Sequence, residues 1–199
     1  MKKIAKDHLN EEEEGITRRY EQKNSFGGRF YSGNSIQLLN KHVRGVFMNK
    51  STDIDMCNAQ PTILLYLCRK HNIDCSNLAH YINNRGEVLK QFDESGKKIF
   101  LKSIFNYKPN YNVKSDFFRK FDNEMKKIQK KMTSIECYKE HVSCVSTEKQ
   151  YNKIGSALSM ILSDYENRIL QEVYKVIKSK NLEVNALMCD GLYIDGYHY

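Results

Sequence analysis

Apolar residues at Ile154, Leu158, Ile161, Leu162, Ile169, Leu170, Val173 and Ile177 recur three and four positions apart. This spacing predicts a helix over 147–179, the longest in the chain. Two short apolar runs follow at once, Val184 to Cys189 and Leu192 to Ile194. Between them stands Asp190-Gly191, a pair suited to a hairpin turn. A long helix that feeds a hairpin leaves few architectures open.

The rest of the chain reads the same way. Ser35 is placed to cap a helix with Ile36, Leu39, Val43 and Phe47 on one side. Thr52 to Cys57 reads as a short strand carrying Asp53 and Asp55. Pro61 then opens a buried helix with Ile63, Leu64, Leu65, Leu67 and Cys68 inward. Further helices are expected over 75–92, 96–106 and 115–132, the last with Phe117, Phe118, Phe121, Met125 and Ile128 inward. The predicted class is α+β, mostly helical, with a small antiparallel sheet carrying two aspartates. Residues 1–24, with the acidic run Glu11 to Glu14, read as a polar lead-in helix or frayed end. Residues 25–199 read as the folded part.

Composition excludes several classes. Of 199 residues, 40% are apolar and 28% charged, which suits neither a disordered tail nor a membrane span. No apolar stretch follows Met1-Lys2-Lys3, so no signal peptide is expected. The six cysteines form no CxxC pair and read as buried thiols of a reducing compartment, cytoplasmic or nuclear. The six histidines make no ligand spacing with them. Charge is concentrated: residues 97–139 hold twelve Lys or Arg against four Asp or Glu, an excess equal to the whole chain's +8. Such a block suits phosphate. For Lys126, Lys127, Lys130 and Lys131 a solvated helix face explains the pattern equally well.

Asp55 and Asp190 are the candidates for chemistry. Carboxylates brought together from separate strands are costly unless a cation joins them. Magnesium prefers such oxygen ligands. Two such ions can activate an attacking hydroxyl and stabilise a leaving oxygen. Asp190 alone, before Gly191, also suits a purely structural turn. Asp53 reads as a solvent-facing neighbour.

Several segments, in order, resemble family A DNA polymerases. Gly28-Arg29-Phe30-Tyr31, Asn34-Ser35-Ile36-Gln37 and Val43-Arg44 resemble their "TGR…NLQN…IR" stretch. Asp55-Met56-Cys57-Asn58-Ala59-Gln60 resembles motif A. Lys97 to Phe105 with Asn106 resembles motif B, and Leu187-Met188-Cys189-Asp190 motif C. Gly155-Ser156-Ala157 is similar to the small-residue start of a palm helix. The pattern resembles compact viral or phage versions and covers about 26–195.

The resemblance implies a polymerase-like palm over 25–199, its small sheet carrying the two aspartates, with helical fingers inserted at about 75–146, and template-directed nucleotidyl transfer by a two-metal mechanism. Asp55 and Asp190 would be catalytic and hold two Mg2+ ions, with the Met56 carbonyl as a further ligand. Lys97, Lys98, Lys102, Phe105 and Gln60 would contact the incoming nucleotide; Arg29, Gln37 and Arg44 would contact the nucleic acid. Partners would be a DNA primer-template, nucleoside triphosphates and a helicase or primase, with no membrane. The chain departs from the family pattern at Gln60, Asn106 and Cys189, where Glu, Gly and His are usual. Two alternatives stand beside this reading. One is an archaeo-eukaryotic-type primase-polymerase, from Asp53-Ile54-Asp55. The other is a non-catalytic nucleic-acid-binding palm module in a viral replication complex.

Overall fold

A computed structural model describes residues 18–24, 27–33, 35–93, 95–108, 113–145 and 147–198. Their fold is mostly helical with two small antiparallel sheets, the expected α+β class. The chain divides into two compact units. The first comprises Met1–Cys57 with Asp164–Tyr199, and the second Asn58–Ser163.

Among the described residues, all five strands belong to the first unit. β1 (Glu21–Asn24) pairs antiparallel with β2 (Gly27–Tyr31). β3 (Ser51–Asp55), β4 (Val184–Leu187) and β5 (Gly191–Asp195) form a three-stranded sheet in the order β3-β5-β4. α1 (Lys41–Phe47) also belongs here. Two apolar clusters hold the unit together. Ile36, Leu39, Ala186 and Tyr193 form one, and Leu170, Leu192 and Ile194 form the other.

The second unit is helical: α2 (Ala59–Lys70), α3 (Ser76–Asn83), α4 (Arg85–Lys90), α5 (Gly96–Phe105), α6 (Asp116–Thr133) and α7 (Lys139–Ser143). Its core is aromatic. The Tyr81 ring stacks on Phe100 at 4.5 Å, and Phe118 and Phe121 meet Phe100 edge-on at 5.3 and 4.9 Å. These offset and edge-to-face arrangements are the ones the ring quadrupoles favour. α8 (Lys153–Ser179) runs from this unit into the first.

Several elements differ from the sequence expectation. The stretch 75–92 is two helices, because α3 closes at Asn84 before α4 begins. The long helix starts at Lys153 rather than at 147; a 3-10 turn, Thr147–Asn152, precedes it. Ser35 caps nothing. Its hydroxyl donates to the Ser32 carbonyl at 2.9 Å, and Asn40 caps α1 by accepting from the Val43 N–H at 3.0 Å. Glu21–Asn24, expected in a helix or frayed end, is a strand. The Glu11 to Glu14 run lies outside the described residues. Of the six cysteines only Cys68 is buried, whereas Cys57, Cys137 and Cys144 are exposed.

α2 and α8 end alike. Asn72 and Asn181 take positive φ, 52° and 56°, just past the last turn. Ile73 N–H then bonds the Cys68 carbonyl at 2.8 Å, and Leu182 N–H the Ile177 carbonyl at 3.3 Å. Asparagine tolerates this left-handed conformation, so each helix stops where the sequence supplies one.

Candidate nucleic-acid interface

The structure brings Asp55 and Asp190 to one end of the three-stranded sheet. Asp55 closes β3 opposite Gly191, the first residue of β5. Asp190 lies in the turn before it, and its carbonyl accepts the Met56 N–H at 2.9 Å. A Cβ on Gly191 would stand 2.3 Å from the Ile54 carbonyl oxygen and 3.0 Å from Asp55 Oδ1, so only glycine lets the strands approach here. Both aspartates offer hard oxygen donors of the kind magnesium takes. Among the described residues, no three His, Cys, Asp or Glu side chains gather closely enough to hold a metal.

Arg29, on β2, is held inside the unit. Its Nε and Nη2 both lie 2.6 Å from Glu166 Oε2 on α8, and the Glu166 side chain is 1% exposed. Burial works against the Arg29 charge, but Glu166 more than offsets this and raises its pKa. Next to it, burial pushes the Cys189 thiol up; Arg29 pulls the other way, while Glu166 and Asp190 add to the rise. That thiol therefore stays protonated near neutrality.

Gln37 is spent on backbone. Its Nε2 donates to the carbonyls of Leu187 at 2.9 Å and Phe30 at 3.2 Å, and its Oε1 accepts the Ser32 N–H at 3.1 Å. With the Tyr20 hydroxyl accepting the Leu187 N–H at 3.2 Å, it satisfies the outer edge of β4. Arg44 Nη1 donates to the Leu39 carbonyl at 3.5 Å, and Arg44 and Asp53 both lie near the Tyr193 hydroxyl.

The remaining site residues belong to the second unit. Lys97, Lys98 and Lys102 are exposed on α5, with Lys98 and Lys102 one turn apart. Phe105 is half-buried, and its carbonyl accepts from Asn152 Nδ2 at 2.9 Å. Gln60 sits half-buried in the first turn of α2.

The basic block of α6 separates into two kinds of lysine. Lys126 is structural. It pairs with the buried Asp122 at 2.9 Å and donates to the carbonyls of Ser103 at 2.9 Å and Asn106 at 2.5 Å. Gln129 joins it on the Ser103 and Ile104 carbonyls. Together they cap the last turn of α5, which otherwise leaves carbonyls without partners. Burial lowers the Lys126 pKa, against the pull of Asp122. The signal for this role was in the sequence, since Asp122 stands four residues before Lys126. Lys120, Lys127, Lys130 and Lys131 are exposed and form no ion pair among the described residues.

Glu166 was not singled out from sequence. Its pairing with Arg29 spans 137 residues, and no local pattern announces such a contact.

No family model matches the chain, and no solved structure does. A curated protein of Sputnik virophage named "Putative helicase V13" is 28% identical over 192 residues. That alignment covers 85% of this chain and 24% of the virophage protein, so the chain spans about a quarter of its relative's length. This finding corrects the functional expectation. The relative is named as a helicase, so template-directed nucleotidyl transfer gives way.

Proposed function

We propose that this chain is the nucleic-acid-engaging part of a helicase-related viral replication protein. The observation that carries this reading is the exposed lysine face of α6, which forms no ion pair among the described residues, next to a similarity that runs along most of the chain to a virophage protein named as a helicase. The 199 residues hold no GxxxxGK[ST] run, the phosphate cradle of many nucleotide-driven motors. The reading therefore assigns this chain contact with the backbone of the nucleic acid. Lysines act there as point charges that neutralise phosphates and carry no base information, so mixed-sequence strands should serve. A gel-shift titration of mixed-sequence single strands and duplexes checks this. Binding of either at micromolar protein is the expected result; failure of both at low salt contradicts it.

We also propose that Asp55 and Asp190 take one hard divalent cation. Two carboxylates at one sheet end supply part of a shell that water completes. Magnesium chloride should then raise the melting temperature of the wild type and leave D55N/D190N unchanged. Equal responses in both proteins would remove the assignment. Among the described residues, no helix is long and apolar enough to cross a membrane.

A further inference from the structure

A polar cleft of about 460 Å³ opens in the second unit between the start of α3 and one side of α6. Lys120, Lys127 and Lys131 line it. Their spacing puts them in a row, because positions seven and eleven residues apart return to nearly the same side of a helix. The row is about 16 Å long at 1.5 Å per residue, close to the axial rise of about five nucleotides in one strand of a duplex.

Two carboxylates share the cleft, and both bear on its sign. Glu124 is 6% exposed and its oxygens are already committed. Oε2 accepts from the Asn77 N–H at 2.9 Å, Asn77 Nδ2 at 2.7 Å and the Ser76 hydroxyl at 3.3 Å, and Oε1 accepts the Leu78 N–H at 2.8 Å. It thus caps the positive end of α3, which offsets part of its charge. Asp74 is exposed to water, which screens it. The three lysines have no such partner: none forms an ion pair among the described residues. Glu124 also removes the α3 amides from the list of anion donors, so the lysines remain as the groups that meet a ligand.

We propose that this cleft receives consecutive phosphate groups of a nucleic-acid strand, with Lys120, Lys127 and Lys131 as the phosphate contacts. The proposal rests on the nucleic-acid reading above and places the contact on one side of α6. An acidic peptide fits less well, since an extended row of regularly spaced charges matches a polyphosphate backbone. Lys126, one residue from Lys127, takes no part, because it is buried in the cap of α5.

The test is fluorescence anisotropy with a labelled single strand of about twenty nucleotides, over a range of salt. Four proteins are compared: wild type, K120Q/K127Q/K131Q, K97Q/K98Q/K102Q, and a control, K50Q/K178Q/K180Q, which removes the same charge from exposed positions of the first unit. Each lost phosphate contact lowers the slope of log K against log salt by about 0.7 on a single strand, so the cleft variant should lose about 2. The control should keep the wild-type slope. Equal losses in the cleft variant and the control would overturn the proposal, because only total charge would then matter. A wild-type slope in the cleft variant with loss confined to K97Q/K98Q/K102Q would also overturn it, while sparing the nucleic-acid reading. No binding by wild type defeats that reading itself. Two competitors settle the ligand: tripolyphosphate displacing the strand at equal phosphate concentration, or wild type preferring phosphatidylserine vesicles, would each contradict a strand as the occupant.

Discussion

Replacing Arg29 by alanine is expected to cost the fold about 3 kcal/mol, at the low end of the range for breaking a buried ion pair. The loss comes less from the missing attraction than from what stays behind. Glu166 is 1% exposed, and without the guanidinium its carboxylate keeps a charge in a site that water does not reach. The Arg29 side chain is itself 26% exposed, which lowers the figure from the upper end of that range. Denaturant unfolding of R29A, E166Q and the double variant R29M/E166M separates structure from function. The double variant should recover most of the stability, since an apolar pair of similar volume often replaces a buried ion pair at little cost. An R29A protein as stable as wild type would show that the guanidinium is free for an external partner.

The second large effect is expected at Gly155, in the first turn of α8. A Cβ there would lie 2.0 Å from the Phe105 carbonyl oxygen, closer than any real contact. It would also meet the Asn152 amide at 2.7 and 2.8 Å, and that amide bonds the Phe105 carbonyl and the Tyr107 N–H. Neither backbone nor amide can yield without giving up those bonds. Gly155→Ala should therefore destabilise by about 3 kcal/mol, the upper part of the overpacking range. Alanine is the better helix former by about 1 kcal/mol, so a purely helical role predicts the opposite sign. A variant that melts at or above the wild-type temperature would refute the close approach.

Much of the fold was readable because its periodicities are strong. The apolar spacing of α6 and α8, and the Asp190-Gly191 turn between two apolar runs, carried those elements to within a few residues. β1 escaped because Glu21-Gln22-Lys23-Asn24 has no apolar alternation; its partner β2, not its own side chains, makes it a strand. The break at Asn84 escaped because nothing beyond a pair of asparagines marks it.

The candidate site was legible in part. Asp55 and Asp190 could be placed at strand ends because Asp55 lies in the short Thr52 to Cys57 strand and Asp190 follows the run Ala186 to Cys189 at a turn. Arg29 and Gln37 were singled out through the polymerase resemblance, but their partners, Glu166 and the Leu187 carbonyl, are distant in sequence and invisible to local reasoning. Within α6, charge alone could not tell Lys126 from Lys127. Helical geometry does: one points toward the end of α5 and the other toward the cleft beside α3.

The salt dependence of wild-type binding to a mixed-sequence duplex tests the central claim most directly. Three phosphate contacts at about 0.9 each predict that affinity falls about 40-fold between about 50 and 200 mM salt. If the α5 lysines join them, the fall is roughly two-thousandfold. A binding constant that does not change across this range would contradict the account, because lysines that meet phosphates must release counterions.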